Sequence, residues 1–419
     1  MTHVDELQRE LVAHIEHTPI QEGDLEGIVH RARRRLARRR VTAAAMVIAA
    51  VVAIVVPISM QGQGEPKVVS TQPPAAGVDD SSWQLHSKAA AGLGSGTSLD
   101  AVATTGQSLL LAGARPIGPQ RTWRAAIWYS DNASSWHRAR VPTASGEVDA
   151  LAADSTRALA IGTDGSGIST FVWTSTDHGR HWRVLAHSAR LFGAPAPQMG
   201  RPGVSALRIE HGTWIASGGG SSGYAAIWTS QDGKHWRQVL DSVSAGVAGS
   251  VDITNADRGR LFGYWVATGW YTSNGSQWDS PVDLAVPDRL ELRTVAAGAT
   301  VAFGDSIDVY GRPTPLLRSR DHGHTWTADP AFLTQFPDAQ VLTVTRTRGL
   351  WVAAGTSGNP NHPDAWVSTD LTHWHALPAA LHGAPGGTLS IISTLRHKIV
   401  LVGTAPELDR YYTLDAPRQ

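Results

Sequence analysis

The chain has 419 residues with 36 basic and 36 acidic side chains, so its formal net charge is zero. A neutral molecule has no overall electrostatic attraction to nucleic acid, and no nucleic-acid partner is expected. The absence of cysteine excludes disulfides, thiolate nucleophiles and cysteine-ligated zinc, and the sequence indicates no cofactor.

Residues 1–40 form an amphipathic and basic segment that we expect to be cytoplasmic. Val4, Leu7 and Leu11 recur at helical spacing, and a second apolar stripe begins at Leu25. Two such short helices either pack on a partner, lie at the membrane surface or remain partly disordered. The layout resembles the cytoplasmic regions of actinobacterial anti-sigma factors, which implies a sigma factor as a candidate protein partner.

Residues 41–60 contain no charged side chain. As a helix they would cover about 30 Å, the thickness of the hydrocarbon core of a bilayer. Arg38, Arg39 and Arg40 precede this stretch directly, and positive charge concentrates on the cytoplasmic side of spanning helices. We therefore predict a single-pass plasma-membrane protein with its N-terminus inside, although a buried core helix is the alternative. Residues 61–80 are a Gly/Pro/Gln-containing flexible linker to an extracytoplasmic domain at the cell envelope.

The remaining domain, residues 81–419, repeats one motif six times. Each copy has an apolar strand that ends in Ser or Thr, an Asp or Asn two residues later, a turn, and then a tryptophan. The Asp or Asn position advances by 42 to 55 residues from copy to copy, close to the length of a four-stranded propeller blade. The copies comprise Ser130, Asn132 and Trp136; Ser175, Asp177, Gly179 and Trp182; Ser230, Asp232, Gly233 and Trp236; Thr272, Asn274, Gly275 and Trp278; Ser319, Asp321, Gly323 and Trp326; Ser368, Asp370 and Trp374.

Each residue of the motif has a structural reason. The Asp or Asn is expected to accept hydrogen bonds from backbone N–H groups of the turn, and glycine supplies the positive φ that the turn needs. The motif resembles the Asp-box (BNR) repeat, and residues 81–415 resemble the Asp-box propellers of the sialidase-like superfamily. This resemblance implies an all-β propeller of four-stranded antiparallel blades, with structural box carboxylates and a ligand site on the opposite face.

The two ends of the domain predict a further blade. Tyr411, Thr413 and Asp415 copy the first half of a box, and Trp83 stands where a second half would continue. We expect strand 82–87 to pair with the C-terminal blade, which removes an open sheet edge and gives seven blades. Six blades with ragged ends is the alternative.

Loops on the predicted ligand face carry aromatic, arginine and carboxylate side chains suited to a carbohydrate or protein ligand. The candidate ligand-face residues are Arg115, Arg121, Trp123, Arg124, Tyr224, Asp305, Asp308, Tyr310, Arg312, His362 and Asp364. The closely spaced histidines, such as His178 and His181, fall beside box turns of different blades. We interpret them as exposed turn residues and predict no metal site.

The motifs described so far do not decide whether the domain is catalytic. The resemblance to sialidases implies an arginine triad, a Tyr nucleophile with Glu, an Asp acid/base and an Arg-Ile-Pro motif. The nearest match to that motif is Arg140-Val141-Pro142, which follows the first box instead of preceding it, and Asp164 is the candidate acid/base. The sequence favours a non-catalytic binding or sensing module for an envelope glycan or protein, with an exo-glycosidase of sialidase-like fold as the alternative.

Overall fold

The computed structural model describes most of the chain beyond residue 81. The described residues are 82–118, 122–142, 145–166, 169–192, 203–219, 225–241, 252–255, 261–265, 268–272, 277–279, 282–287, 290–296, 298–306, 313–358, 362–378, 388–403 and 410–415. Within these ranges no helix is long and apolar enough to cross a membrane. The predicted segments 1–40, 41–60 and 61–80 lie outside them.

The described residues form seven four-stranded antiparallel sheets. Sheets 1 to 3 comprise β2 Ser98–Thr104, β3 Leu109–Ile117, β4 Thr122–Ser130 and β5 His137–Arg138; β6 Gly146–Ala153, β7 Ala158–Asp164, β8 Thr170–Ser175 and β9 Arg183–Ser188; β10 Gly203–Glu210, β11 Thr213–Gly219, β12 Ala225–Ser230 and β13 Arg237–Asp241. Sheets 4 to 6 comprise β14 Asp252–Asn255, β15 Leu261–Trp265, β16 Thr268–Thr272 and β17 Val282–Asp283; β18 Leu290–Val295, β19 Val301–Ser306, β20 Leu316–Arg318 and β21 Thr327–Asp329; β22 Gln340–Thr347, β23 Leu350–Ser357, β24 His362–Ser368 and β25 His375–Ala376. A five-residue helix, α1 Ala331–Gln335, connects sheets 5 and 6.

Sheet 7 is built from both ends of the domain. Its strands are β26 Leu389–Leu395, β27 Lys398–Gly403, β28 Arg410–Asp415 and, on the outside, β1 Trp83–Ser87. β1 runs antiparallel to β28, with Trp83 opposite Leu414 and Ser87 opposite Arg410. The outer strand of this sheet lies at the position predicted for residues 82–87 and begins one residue later, at Trp83. The pairing joins the two ends of the domain through backbone hydrogen bonds.

Consecutive sheets pack face to face in a closed order. The first strand of one sheet contacts the first strand of the next, as β2 does with β6, β6 with β10, and β18 with β22. The order closes because β26 of sheet 7 contacts β2 of sheet 1. Between sheets 4 and 5, Phe262 and Leu317 belong to one buried cluster.

The hydrophobic core is divided into layers between neighbouring sheets. One buried cluster joins sheets 1 and 2, with Leu110 and Ile127 on one side and Trp173 and Trp182 on the other. Similar clusters join sheets 2 and 3, 4 and 5, 5 and 6, 6 and 7, and 7 and 1. The second strands of sheets 1, 2, 3 and 6 are almost wholly buried, which is why their sequences read as near-continuous apolar runs, whereas the outermost strands β5, β9 and β21 are largely exposed.

The repeated motif forms a tight turn between the third and fourth strands. In sheet 3, Oδ1 of Asp232 accepts hydrogen bonds from the backbone N–H groups of Lys234 and His235, both at 2.8 Å. Ser230 Oγ accepts from the Gly233 N–H at 2.9 Å, and Gly233 has φ +73°. The indole of Trp236 donates to the Gly233 carbonyl. The expected capping hydrogen bonds are therefore present in this turn.

The same turns join neighbouring sheets. The backbone N–H of the tryptophan that follows the turn donates to a carbonyl oxygen of the preceding sheet's last segment. These bonds run from Trp136 to Ala91 at 2.7 Å, from Trp182 to Arg140 at 2.9 Å, and from Trp326 to Ala285 at 2.7 Å. Each of these turns thus caps its own strand pair and is also hydrogen-bonded to the preceding sheet.

Candidate functional site

Arginine side chains gather at the outer part of sheet 1. Arg115 on β3 and Arg124 on β4 lie directly opposite each other across the strand pair. Arg138 is on the outermost strand, β5, and Arg140 follows it. All four arginines line one pocket of about 530 Å³. Arg115 and Arg124 were predicted as ligand-face residues and Arg140 as a catalytic candidate, so the pocket contains three residues from two separate predictions.

The pocket exists because the outermost strand of sheet 1 is short. β4 has nine residues, but the two residues of β5 pair only with Trp128 and Tyr129. The chain then leaves the sheet after one more hydrogen bond, from the Ala139 N–H to the Ile127 carbonyl at 2.8 Å. The first half of β4 therefore has no β5 residue beside it, and the pocket lies along this edge.

Sheet 2 holds the segment on the far side of the pocket. Arg140 forms a parallel bridge with His181, in the box turn of sheet 2. Its N–H donates to the Arg180 carbonyl at 3.1 Å, and its carbonyl accepts from Trp182 at 2.9 Å. The box turn thus fixes the backbone of a pocket arginine. The remaining lining is apolar and consists of Ala125, Ala126, Ala139, Val141, Pro142 and Trp182.

The pocket has a strongly positive lining. Four of the ten described residues that line it are arginines, and none of those ten is acidic. Burial lowers the pKa of Arg115 from its ordinary value, and the charges of Arg138 and Arg124 lower it further. An arginine nevertheless stays protonated in a protein, so the charges of Arg138 and Arg124 repel that of Arg115. A bound anion would relieve this repulsion.

Asp164, the predicted acid/base, is not among the residues that line the pocket. It ends β7, where it pairs with Gly146 and accepts a hydrogen bond from Ser166 Oγ at 2.8 Å. The structure therefore does not bring it into the pocket beside Arg140.

Several residues predicted on ligand-face loops lie in strands instead. Asp364 is within β24 and only 3% exposed, where it accepts from Ser357 Oγ at 2.6 Å and from the Ala365 N–H at 2.7 Å. This carboxylate is engaged in holding its own hairpin. His362 begins the same strand, Trp123 lies on β4 and Asp305 lies on β19. The loops are shorter than expected because the hairpins extend further, and the prediction of open loops at these positions is wrong.

Other predicted residues fall outside the described ranges. They are Arg121, Tyr224, Asp308, Tyr310 and Arg312 of the ligand-face set, and Asn274 and Gly275 of the fourth box. Across the described part of the chain, no group of three or more His, Asp or Glu side chains is arranged to hold a metal ion. Three described histidines of the box turns lie beside the box carboxylate: Nδ1 of His181, His235 and His373 is 2.6, 2.7 and 2.8 Å from Oδ2 of Asp177, Asp232 and Asp370.

Comparison with known proteins bears on the fold. No family model matches the chain, and no curated protein matches it. A virginiamycin B lyase from Staphylococcus aureus, solved as a catalytically inactive variant with quinupristin, superposes with a TM-score of 0.50 at 11% identity, over 80% of this chain and 100% of that one. The chain folds as a β-propeller.

Two further solved structures are similar to this propeller at lower scores. The β-propeller domain of the Trilobed protease from Pyrococcus furiosus has a TM-score of 0.49 at 7% identity, over 77% of this chain and 94% of that one. A Hadza microbial sialidase has a TM-score of 0.42 at 12% identity, over 76% of this chain and 65% of that one. At these identities the likeness concerns the fold alone, and the function has to be argued from the site.

Sequence reasoning missed Arg138 and the apolar wall of the pocket. Arg138 stands two residues before Arg140 in the run His137–Pro142, which holds three basic residues directly after a box. That density of positive charge beside the first box was a usable signal. The length of β5, which opens the pocket, carries no comparable mark in the sequence.

Proposed function

We propose that this propeller is a non-catalytic binding module and that the pocket beside β4 is its site for an anionic ligand. The observation that supports this is the convergence of four arginines on a concave, partly apolar surface. Planar guanidinium groups match carboxylate and phosphate oxygens through paired hydrogen bonds. The apolar wall provides contact area for the uncharged part of a ligand.

The lining of the pocket also favours binding over hydrolysis. Most glycoside hydrolases place two carboxyl groups on either side of the scissile bond. None of the ten described lining residues carries a carboxylate, and Asp164 is not among them. An exo-glycosidase would need an acid and a nucleophile from elsewhere in the chain.

The test is a binding and turnover screen on the full chain. Neutral and anionic glycans are titrated in parallel with fluorogenic glycosides, sialosides included. We expect binding of anionic ligands without turnover. Arg115→Gln or Arg140→Gln should weaken binding about tenfold or more, because each removes charge-assisted hydrogen bonds. Arg237→Gln, on the exposed outer strand of sheet 3, is the matched control.

Two outcomes would contradict the proposal. Binding that survives both pocket substitutions would place the site elsewhere. Turnover that is lost on Arg140→Ala or Asp164→Ala would instead favour the exo-glycosidase.

The proposal includes the location of the module. The uncharged residues 41–60, preceded by Arg38, Arg39 and Arg40, support a single transmembrane helix with the propeller outside the cytoplasmic membrane. In this arrangement the seven sheets are the blades of one closed ring at the cell envelope. The full chain should remain in the membrane fraction after alkaline extraction, and deletion of residues 41–60 should release it. Release of the full chain would contradict the assignment.

A cytoplasmic partner completes the proposal. The amphipathic stripes of residues 1–40 support binding of a protein such as a sigma factor, which would connect the ligand state outside with transcription inside. Deletion of residues 1–30 should then change the transcript profile of the cell. An unchanged profile would leave this segment with a topological role only.

A further inference from the structure

We infer that the ligand of the arginine pocket carries a phosphate monoester on an organic group. This inference rests on the proposed function and specifies the chemistry of the ligand. It is argued from the hydrogen-bond donors, the charge and the apolar surface that the pocket provides.

The donors are arranged for more than one oxygen atom. Arg115 and Arg124 are cross-strand neighbours, so their side chains leave adjacent points of the sheet. Arg138 pairs with Trp128, which lies on the same face of β4 as Arg124, and Arg140 follows it and also lines the pocket. A planar carboxylate offers two oxygens in one plane, whereas a phosphate monoester offers three terminal oxygens in three directions. Four guanidinium groups on β3, β4 and the β5 segment provide more donors than two oxygens accept, so they fit the second shape better.

The part of β4 that does not pair with β5 provides a further donor. The Ile127 carbonyl points toward β5, because it accepts the hydrogen bond from Ala139. Backbone groups of alternate strand residues point to the same edge, so the N–H of Ala125 is directed to that edge as well. Ala125 lines the pocket, and no residue of β5 pairs with it. A main-chain N–H beside guanidinium groups is a common element of phosphate recognition.

The charge of the pocket favours a dianion over a monoanion. Four guanidinium groups line a space of about 530 Å³ without an acidic side chain among the described lining residues. A carboxylate or a sulfate ester brings one negative charge. A phosphate monoester carries about −1.5 to −2 at neutral pH and therefore offsets more of the repulsion that acts on Arg115.

The apolar wall favours an ester over a free anion. Val141 and Pro142 border the pocket next to the arginines, Val141 partly buried and Pro142 exposed. Inorganic phosphate would leave this surface in contact with water. A sugar or a similar carbon skeleton attached to the phosphate would cover it and gain the corresponding apolar contact.

The inference is tested by titration calorimetry of the full chain with five probes at constant ionic strength. The probes are glucose 6-phosphate, glucose 6-sulfate, glucuronate, inorganic phosphate and glucose. We expect glucose 6-phosphate to bind at least about tenfold more tightly than each of the others. Glucose 6-sulfate keeps the tetrahedral shape and removes one charge, so it isolates the contribution of the second charge.

Substitutions of the pocket arginines test whether the preference for glucose 6-phosphate arises in this pocket. Arg115→Gln and Arg138→Gln should each reduce the preference for glucose 6-phosphate over glucose 6-sulfate, and Arg237→Gln should leave it unchanged. Arg115→Lys keeps the charge and loses the planar fork, so we expect an intermediate affinity.

Equal affinity for glucose 6-sulfate or glucuronate would overturn the inference while leaving an anion-binding pocket. Equal affinity for inorganic phosphate would also overturn it, since the organic group would then make no contact. Binding of no anion at all would contradict the proposed function itself.

Discussion

Single residues of the box turns determine how closely neighbouring sheets approach. Gly233 has φ +73°, a conformation that L side chains rarely adopt. A Cβ at this position would lie 2.7 Å from Leu159 Cδ1 of sheet 2. The glycine therefore avoids backbone strain at positive φ, which Ala133 and Leu371 bear at the same position of boxes 1 and 6, and it also leaves room for Leu159 between sheets 2 and 3.

Gly233→Ala should lower the free energy of unfolding by about 2–4 kcal/mol, because strain at positive φ adds to overpacking against Leu159. Gly106→Ala is the matched control, since Gly106 has φ +81° but nothing within 4 Å of the added Cβ. It should cost only the backbone strain, about 1–2 kcal/mol. Denaturant unfolding of both variants measures the difference. Equal losses would show that the inter-sheet contact contributes nothing.

Asp177 illustrates the electrostatics of a box turn. Burial would raise its pKa, but hydrogen bonds from the His181 backbone, the His181 ring and Ser175 outweigh this and lower the pKa to about 2. Its side chain is 41% exposed, so solvent screening makes the contribution to stability modest. Box 1 has an asparagine in this place: Oδ1 of Asn132 accepts from the Ser134 and Ser135 N–H groups at 2.9 Å. Capping therefore does not require a charge.

Asp177→Asn should separate the contribution of the negative charge from that of capping, because the amide keeps the capping oxygen and loses the charge. Because the pKa is lower in the folded state, the stabilisation is present above the unfolded pKa near 3.8 and is lost as the pH falls toward about 2. The variant should lose a small part of the stability at pH 7 and show a shallower decline of melting temperature below pH 4. Asp177→Ala should lose capping as well and melt lower at every pH. If the melting temperature of Asp177→Asn fell below pH 4 as steeply as that of the wild type, the pH dependence could not be assigned to the charge of Asp177.

Strands show which parts of the fold could be predicted from the sequence. The box is local: its strand end, capping residue and tryptophan lie within ten residues, so its repeats and the paired ends of the domain could be recognised. The inner strands carry a second repeat, in which a bulge in the first strand faces a glycine in the second, and this repeat does not appear among the sequence predictions. In six sheets the first strand has a bulge facing a glycine of the second strand, as Val148 and Ala150 do beside Gly162. A Cβ on Gly162 would overlap the Glu147 carbonyl.

The site could be predicted only in part. Arg115, Arg124 and Arg140 were visible as candidates, but their proximity depends on the length of β5 and on the Arg140–His181 bridge. Both are set by pairing between distant residues, which leaves no local pattern. Asp364 was predicted to lie in a loop but lies in β24, because the length of a hairpin depends on how far its two strands pair with each other.

The closing strand pair should control the stability of the whole domain. Truncation after residue 409 removes β28 together with the buried Tyr411 and Tyr412. It leaves β1 without a partner strand and β27 paired only with β26. We expect a melting temperature at least about 10 °C lower and faster proteolysis. Truncation after Asp415 leaves the strand pair intact and serves as the control. Equal melting of the two truncated chains would contradict a role of this pairing in stability.

At the scale of the whole molecule, charge is neutral overall but concentrated at one place. The chain as a whole carries no net charge, while the pocket beside β4 collects four arginines. Attraction of an anion should therefore be short-ranged. Affinity should fall as salt is raised from about 0.05 to about 0.5 M, because the Debye length shrinks from above 10 Å to below 5 Å. The melting temperature, which depends on the apolar layers between sheets, should change little.

The most direct test of the account is a crystal structure of the full chain with glucose 6-phosphate bound. The account predicts the phosphate between Arg115, Arg124, Arg138 and Arg140, within hydrogen-bond distance of at least two guanidinium groups, with the sugar against Val141 and Pro142. A phosphate found elsewhere on the propeller, with the pocket empty, would contradict it.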